Sequence, residues 1–300
     1  MEKAKKKIDK KLIFYILGMA YPILQVVVFW LFVNINSILL AFRDLEYLEQ
    51  SYKFVGLDNF RKVLYDFFNR PEFAIAFKNT FMIFGISLLA MLIPMVMSFY
   101  LFKKYPLSGT FKVVLFLPSI VPTMATVLCY KYFSEVAIPA IWGKLFQINI
   151  EGLLSNPNTQ LSTIVIFSIW VGFDSNFLLY AGAMSSINDS VIEAAQIDGC
   201  NPFQEFTKIV FPMIFPTFTT FVITSFATLF TNQMNVFSFY GGEANYSLYT
   251  IGYYLYTSIQ RGAIGDYPYL AAMGIVLTIV AIPLCLGTKR LMEKFGPSEY

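Results

Sequence analysis

The sequence predicts an all-α polytopic membrane protein with six transmembrane helices, on three observations. Apolar residues make up 57 % of the 300 and charged residues 14 %, whereas soluble domains hold about 45–50 % and about 25 %. Thirty-two Phe and nineteen Tyr exceed what one aqueous core could hide. Six segments supply the roughly 20 apolar residues that a bilayer core of about 30 Å requires. Strand-like alternation is absent from them, which argues against a β-barrel. Disorder, collagen-like repeats and a disulfide scaffold are excluded by the same composition.

The first span is expected at 12–33, after a basic N-terminus of residues 1–11. Its apolar run is about twice a signal-peptide core and no small-x-small site closes it, so it is read as an uncleaved span. The second is expected at 79–102. The third, at 113–133, is the shortest and reaches past Lys131. The fourth, at 161–184, is interrupted only by Asp174; the fifth, at 209–232, lies in the uncharged stretch Ile209–Gly242; the sixth is 269–288. Residues 289–300 form a tail.

Lys and Arg near span ends set direction. With the N-terminus inside, the cytoplasm receives the N-terminal lysines, Lys103, Lys104, Lys112, Lys208, Lys289, Arg290 and Lys294. Both termini are then cytoplasmic. The long outer loop after span one balances its cations with acids. Within it Asp58 is a candidate N-cap, and Phe60, Val63, Leu64, Phe67 and Phe68 recur at helical spacing until Pro71. That stripe suits packing across neighbouring spans or docking of an outer partner.

Several chemistries are excluded. There is no His, which removes the commonest general base and metal ligand. Cys129, Cys200 and Cys285 lack C-x-x-C spacing and read as small core hydrophobes. A net charge of +3 implies no nucleic-acid partner. No nucleophile–base pair is evident, so neither a catalytic site, a metal nor a cofactor is expected, and the chain is not expected to be an enzyme. No G-x-x-x-x-G-K-[ST] occurs, so nucleotide is not bound in the P-loop manner.

The most informative stretch is the loop 185–208, cytoplasmic in this topology. Ser190 and Glu193 stand as S-x-x-E, the spacing of a capping box. About two helical turns follow to Asp198, with Ala194 and Ala195 giving a narrow surface. Gly199 suits a left-handed stop. Asn201 then caps a second start with Pro202 at its first position. Two short helices meeting at Gly199 are expected, rigidly joined to spans four and five.

Glu193-Ala194-Ala195, Gly199, Ile209 and Phe211-Pro212 stand at the spacing E-A-A-x3-G-x9-I-x-L-P, with Phe211 in place of Leu. This resembles the EAA loop of ABC importer permeases. Asp198-Gly199 further resembles the carbohydrate permeases of the maltose and glycerol-phosphate type, with Cys200 in place of Ala. Phe54-Val55-Gly56-Leu57-Asp58-Asn59-Phe60, Asn79-Thr80, Phe116-Leu117-Pro118 with Pro122, Trp170 and Gly241-Gly242 are similar to that family's segments elsewhere along the chain. A Pro after the Trp and another after the glycine pair are missing, the latter replaced by Glu243 and Ala244. The resemblance implies a type I ABC importer transmembrane domain in the cytoplasmic membrane. It would pair with a second homologous permease, two copies of a cytoplasmic ATPase and an extracytoplasmic solute-binding protein. Glu193, Ala194, Ala195, Asp198, Gly199, Ile209 and Pro212 would couple it to the ATPase.

Polar groups inside spans are costly and face protein or a water-filled path. Asp174 is the one charge in a span centre, near Trp170 and Phe173, while Asn232 and Asn235 crowd the outer end of span five. Aromatic faces with amides and a carboxylate suit a sugar, so Trp170, Phe173, Asp174, Asn232 and Asn235 are candidates for the solute pathway. Near-absence of Lys and Arg from the spans favours a neutral sugar over a phosphate ester. The alternatives are a permease for glycerol-phosphate, an ion-gradient-driven secondary transporter, whose repeated halves and titratable networks are not evident, and a membrane-embedded enzyme.

Overall fold

Prolines decide where the long helical runs bend or break. A computed structural model of the chain describes residues 10–46 and 51–297. Most of the basic N-terminus and the last three residues of the tail lie outside the described residues. Among these, five helical runs are long and apolar enough to cross a membrane: Phe14–Leu40, Pro71–Phe102, Gln160–Ser185, Pro202–Ala227 and Ile264–Phe295. The run expected at 113–133 differs. It is two helices, α6 (Ser108–Ile120) and α7 (Thr123–Tyr132). Pro122 forces the residue before it out of the helical region, and Val121 is extended at φ −86°, ψ 131°. The fifth run also ends earlier than 232, because Thr228 to Asn235 turn instead of continuing the helix.

Contacts divide the chain into two units. One comprises residues 1–65 and 262–276. It opens with α1 (Lys10–Gln25), which passes through a wide turn at Val26–Phe32 into α2 (Val33–Leu40). An antiparallel ribbon follows, β1 (Arg43–Glu46) paired with β2 (Ser51–Phe54) in the register Arg43↔Phe54. Asn59, near the start of α3 (Asp58–Asn69), is buried and donates Nδ2 to the carbonyls of Ala41 and Arg43 at 3.1 and 2.6 Å. The N-terminal end of the ribbon is thereby tied to the helix after it. Of the apolar stripe expected on α3, Val63 is buried but Leu64 and Phe68 are exposed, so the buried face is narrower than its spacing implied.

The other unit comprises residues 66–261 and 277–300. Helix α4 (Pro71–Ala90) bends at Met91 into α5 (Leu92–Phe102), because Pro94 cannot donate to the Ala90 carbonyl. Helix α5 runs along α9 (Gln160–Ser185). The buried Ser98 hydroxyl lies 2.7 Å from the Pro94 carbonyl in its own helix and 2.9 Å from that of Phe177 in α9.

Among the described residues, two apolar cores form in this unit. One gathers Ile83, Val127, Ile164 and Phe167 with the segment 234–253. The second gathers Met95, Phe99, Tyr180, Met184, Ile187, Ile192, Val210 and Ile214. Cys129 is exposed and Cys200 and Cys285 are half-buried. The expectation that all three fill a core is therefore corrected: none sits where a packed interior would need it.

Asn79 and Thr80, singled out in the sequence, staple the first core. Buried Asn79 donates Nδ2 to the carbonyls of Ser247 and Tyr249 at 2.8 and 2.9 Å. Thr80 Oγ1 accepts the amide of Ile251, the first residue of α14 (Ile251–Arg261), at 3.0 Å. Asn79→Leu removes both donors and leaves two carbonyls unpaired, at about 1–3 kcal/mol for each that stays buried. A fall in melting temperature in detergent is the expected result; an unchanged melting curve would show these bonds to be replaceable.

Candidate functional site

The elbow at 185–208 is built from local capping chemistry. Asn188, extended at ψ 129°, accepts the Ser190 amide on its side chain at 3.0 Å and starts α10 (Asp189–Ile197). The expected Ser190–Glu193 capping box does not form, because Asn188 and Asp189 begin the helix two residues earlier. At the far end the amides of Asp198, Gly199 and Cys200 bond back to Ala194, Gln196 and Ala195. Gly199 sits at φ +79°, a conformation that glycine adopts without penalty. Asn201 then caps α11 (Pro202–Glu205) as expected. It is joined by a partner the sequence reading missed: Gln204 receives the Asn201 amide at 3.1 Å while donating its own to Asn201 Oδ1 at 2.9 Å.

The two alanines face opposite ways. Ala195 and Ile192 are buried inward, whereas Glu193, Ala194 and Asp198 are exposed. Beside them Ile197 is 86 % and Phe203 75 % exposed. Ile209 packs half-buried against the second core, and Pro212 opens α12 (Phe211–Ala227). Pro212 cannot donate to Lys208, and the chain widens into a π turn at Phe206–Val210. These two residues root the elbow instead of forming its outer face.

Glu205 fixes the elbow from the side. Its buried carboxylate accepts from Lys103 Nζ on both oxygens at 2.9 and 2.8 Å. Lys103 follows α5, and Phe99 of α5 meets Phe206 with ring centroids 5.0 Å apart.

A second feature is a cleft of about 310 Å³ lined by residues of α4, α5, α9 and the turn after α12. Phe173, Asn232 and Asn235 reach it, together with Ser168 and Asn176. Asn235 donates to Ser168 Oγ at 3.2 Å, and that hydroxyl donates to the Met234 carbonyl at 3.0 Å. Asn232 Oδ1 accepts the Met234 amide at 2.8 Å. Met234 and Asn235 both have positive φ, 50° and 57°. Holding a methionine there costs of order 1–3 kcal/mol, and the surrounding bonds fix it.

The family described as binding-protein-dependent transport system inner membrane component matches residues 80–298. The chain belongs to this family. Among curated relatives of this inner membrane component, the maltose/maltodextrin permease MalF of Klebsiella aerogenes is 31 % identical over 186 residues, covering 59 % of this chain and 35 % of that protein. The arabinooligosaccharide permease AraP of Bacillus subtilis (strain 168) is 26 % identical, covering 91 % and 86 %. The match thus spans about a third of MalF and most of AraP. The crystal structure of a bacterial ABC transporter involved in import of the acidic polysaccharide alginate superposes with a TM-score of 0.76 at 20 % identity, covering 97 % of this chain and 98 % of that one. The fold is that of an ABC importer transmembrane component.

Within this inner membrane component the five expected pathway residues do not share one site. Phe173, Asn232 and Asn235 meet in the cleft. Trp170, 46 % exposed, instead lines a separate recess with Thr126, Cys129, Tyr130 and Phe133, its ring stacked on Tyr130 at 6.5 Å. The side chain of Asp174 lies outside the described residues. Ser168 was missed, although Ser168, Gly172 and Asn176 recur every four residues and so mark one small, polar stripe of α9.

Proposed function

We propose that this permease is one half of an ATP-binding-cassette importer that moves a carbohydrate across the cytoplasmic membrane by alternating access. The elbow carries the reading: two capped short helices with a packed inner face and a solvent face bearing Glu193, Ala194, Ile197, Asp198 and Phe203. Exposed Ile and Phe side chains beside two carboxylates, on a rigid mount, suit a groove on a cytoplasmic ATPase. Two copies of that ATPase, a second homologous permease and an extracytoplasmic solute-binding protein complete the transporter. Six crossings, with α6 and α7 as a broken third, put both termini and the elbow in the cytoplasm, in line with the Lys and Arg at span ends. Closure of the ATPase pair draws the elbows together and rocks the spans outward, and hydrolysis in the partner resets them.

For the solute, Phe173 offers an aromatic face to sugar C–H groups, while Asn176, Asn232 and Asn235 offer amides to hydroxyls. Among the described residues the cleft lining holds no cation; this favours a neutral sugar over glycerol-phosphate, since phosphate recognition draws on Arg or Lys. The named sugars of MalF and AraP agree with a carbohydrate. In proteoliposomes holding the assembled transporter, uptake of labelled maltodextrin or arabino-oligosaccharide is expected to require internal ATP and the ATPase subunit. Phe173→Ala forfeits aromatic contact of about 1 kcal/mol, which lowers uptake about fivefold with the ATPase still bound. Uptake driven by a proton or sodium gradient in ATP-free vesicles would overturn the reading.

A further inference from the structure

A buried ion pair is a weak device for stability, since well-packed apolar residues in its place are often as good or better. Glu205 and Lys103 therefore call for another explanation. The pair is bonded through both carboxylate oxygens, and the two side chains are 2 % and 15 % exposed. The chain itself joins the elbow only to α9 and α12. Lys103 lies on neither path, because it directly follows α5, 102 positions earlier. Around the pair, Phe99 of α5 packs on Phe206, and Ser98 meets the Phe177 carbonyl of α9. Any displacement of α11 that keeps the pair intact must carry the end of α5 with it.

We propose that Lys103 and Glu205 are a positioning pair that carries movement of the elbow into α5, so that the second span follows the ATPase as the fourth and fifth do. The proposal rests on the docking reading given above.

The test uses the assembled transporter purified with its ATPase and compares hydrogen–deuterium exchange with and without ATP and vanadate. In the unmodified chain, nucleotide is expected to change exchange about fivefold, the low end of the about 5–150-fold range of coupling effects, both in residues 189–205 and in residues 95–104. Glu205→Gln and Lys103→Met are expected to retain the ATPase and the elbow response but to lose the response in 95–104. The charge-reversed double variant K103E/E205K is expected to restore it, which a merely structural role would not require. A response in 95–104 that survives both single substitutions overturns the proposal, as does a charge reversal that leaves it lost. Should a single variant fail to assemble, Lys103→Gln with Glu205→Gln leaves no charge stranded, and an unchanged 95–104 response in that variant overturns the proposal. An unmodified chain that never retains an ATPase overturns the docking reading itself, and shows no nucleotide response anywhere.

Discussion

Gly199→Pro is expected to strip the ATPase from the transporter while leaving the chain in the membrane. Gly199 stands at φ +79° and donates its amide to Gln196 at 3.1 Å. Proline is locked near φ −65° and has no amide to give. The joint between α10 and α11 must therefore open, and the outward face of Glu193, Ile197 and Phe203 loses its fixed shape. Proline in an incompatible site costs about 3 kcal/mol or more. If that is drawn from docking, affinity for the ATPase falls roughly a hundredfold. Gly199→Ala is expected to be milder, at about 1–2 kcal/mol for a left-handed residue with a Cβ, because nothing lies within 4 Å of the added atom. Glu193→Ala leaves the elbow folded, since the carboxylate is exposed and caps nothing. It is expected to weaken docking with no change in melting temperature. Co-purification of the ATPase, scored against the amount of chain in the membrane, decides the matter. Full retention in both Gly199→Pro and Glu193→Ala would remove the elbow from the coupling role.

What could be read in advance followed the range of each signal. Five long apolar helices were legible because about twenty apolar residues in a row need no partner to be recognised, whereas the break at Pro122 divides the run expected at 113–133. Capping at Asn201 and the stop at Gly199 were legible because both act within four residues. The start of α10 was misplaced because Asn188, Asp189 and Ser190 are three capping types in succession, and only the backbone decides among them. The end of α12 was misplaced because Ile209–Gly242 carries no charge, so hydropathy continues past Ala227 although the helix does not.

The Glu205–Lys103 pair had no local signature at all, since its partners are 102 positions apart. The cleft was half legible: residue types pointed to Phe173, Asn232 and Asn235, but composition alone does not say which way Trp170 faces on α9. The missing Pro after the glycine pair also acquires a reason. Gly241 takes φ +58° and Gly242 lies beneath the Arg261 guanidinium, which pairs with the substituted Glu243.

Gly252→Val is expected to abolish the cleft without touching the elbow. Gly252 is buried in the first turn of α14, and a Cβ there would lie 2.5 Å from the Asn232 carbonyl oxygen and 2.7 Å from the Thr231 carbonyl carbon. Those neighbours are backbone, so no side chain can swing aside. The turn they belong to has little slack: Thr250 Oγ1 donates to the same Asn232 carbonyl at 3.3 Å, and Met234 and Asn235 already occupy positive φ. Overpacking of this kind typically costs about 1–3 kcal/mol. It would be met by moving the turn, and with it the amides of Asn232 and Asn235. Thr250→Val separates the effects, because it removes two hydrogen bonds, the one to the Asn232 carbonyl and the one its Oγ1 accepts from the Tyr253 amide at 3.0 Å, each worth about 1 kcal/mol, but adds no further heavy atom against the turn. The expected order is a strong loss of oligosaccharide uptake with a lower melting temperature for Gly252→Val, and a lower melting temperature with only a small loss of uptake for Thr250→Val. Retention of the ATPase is expected in both, since the elbow packs on the other apolar core. A Gly252→Val chain that melts and transports like the unmodified one would mean that the turn shifts freely. Asn232 and Asn235 would then have no fixed position from which to recognise a sugar.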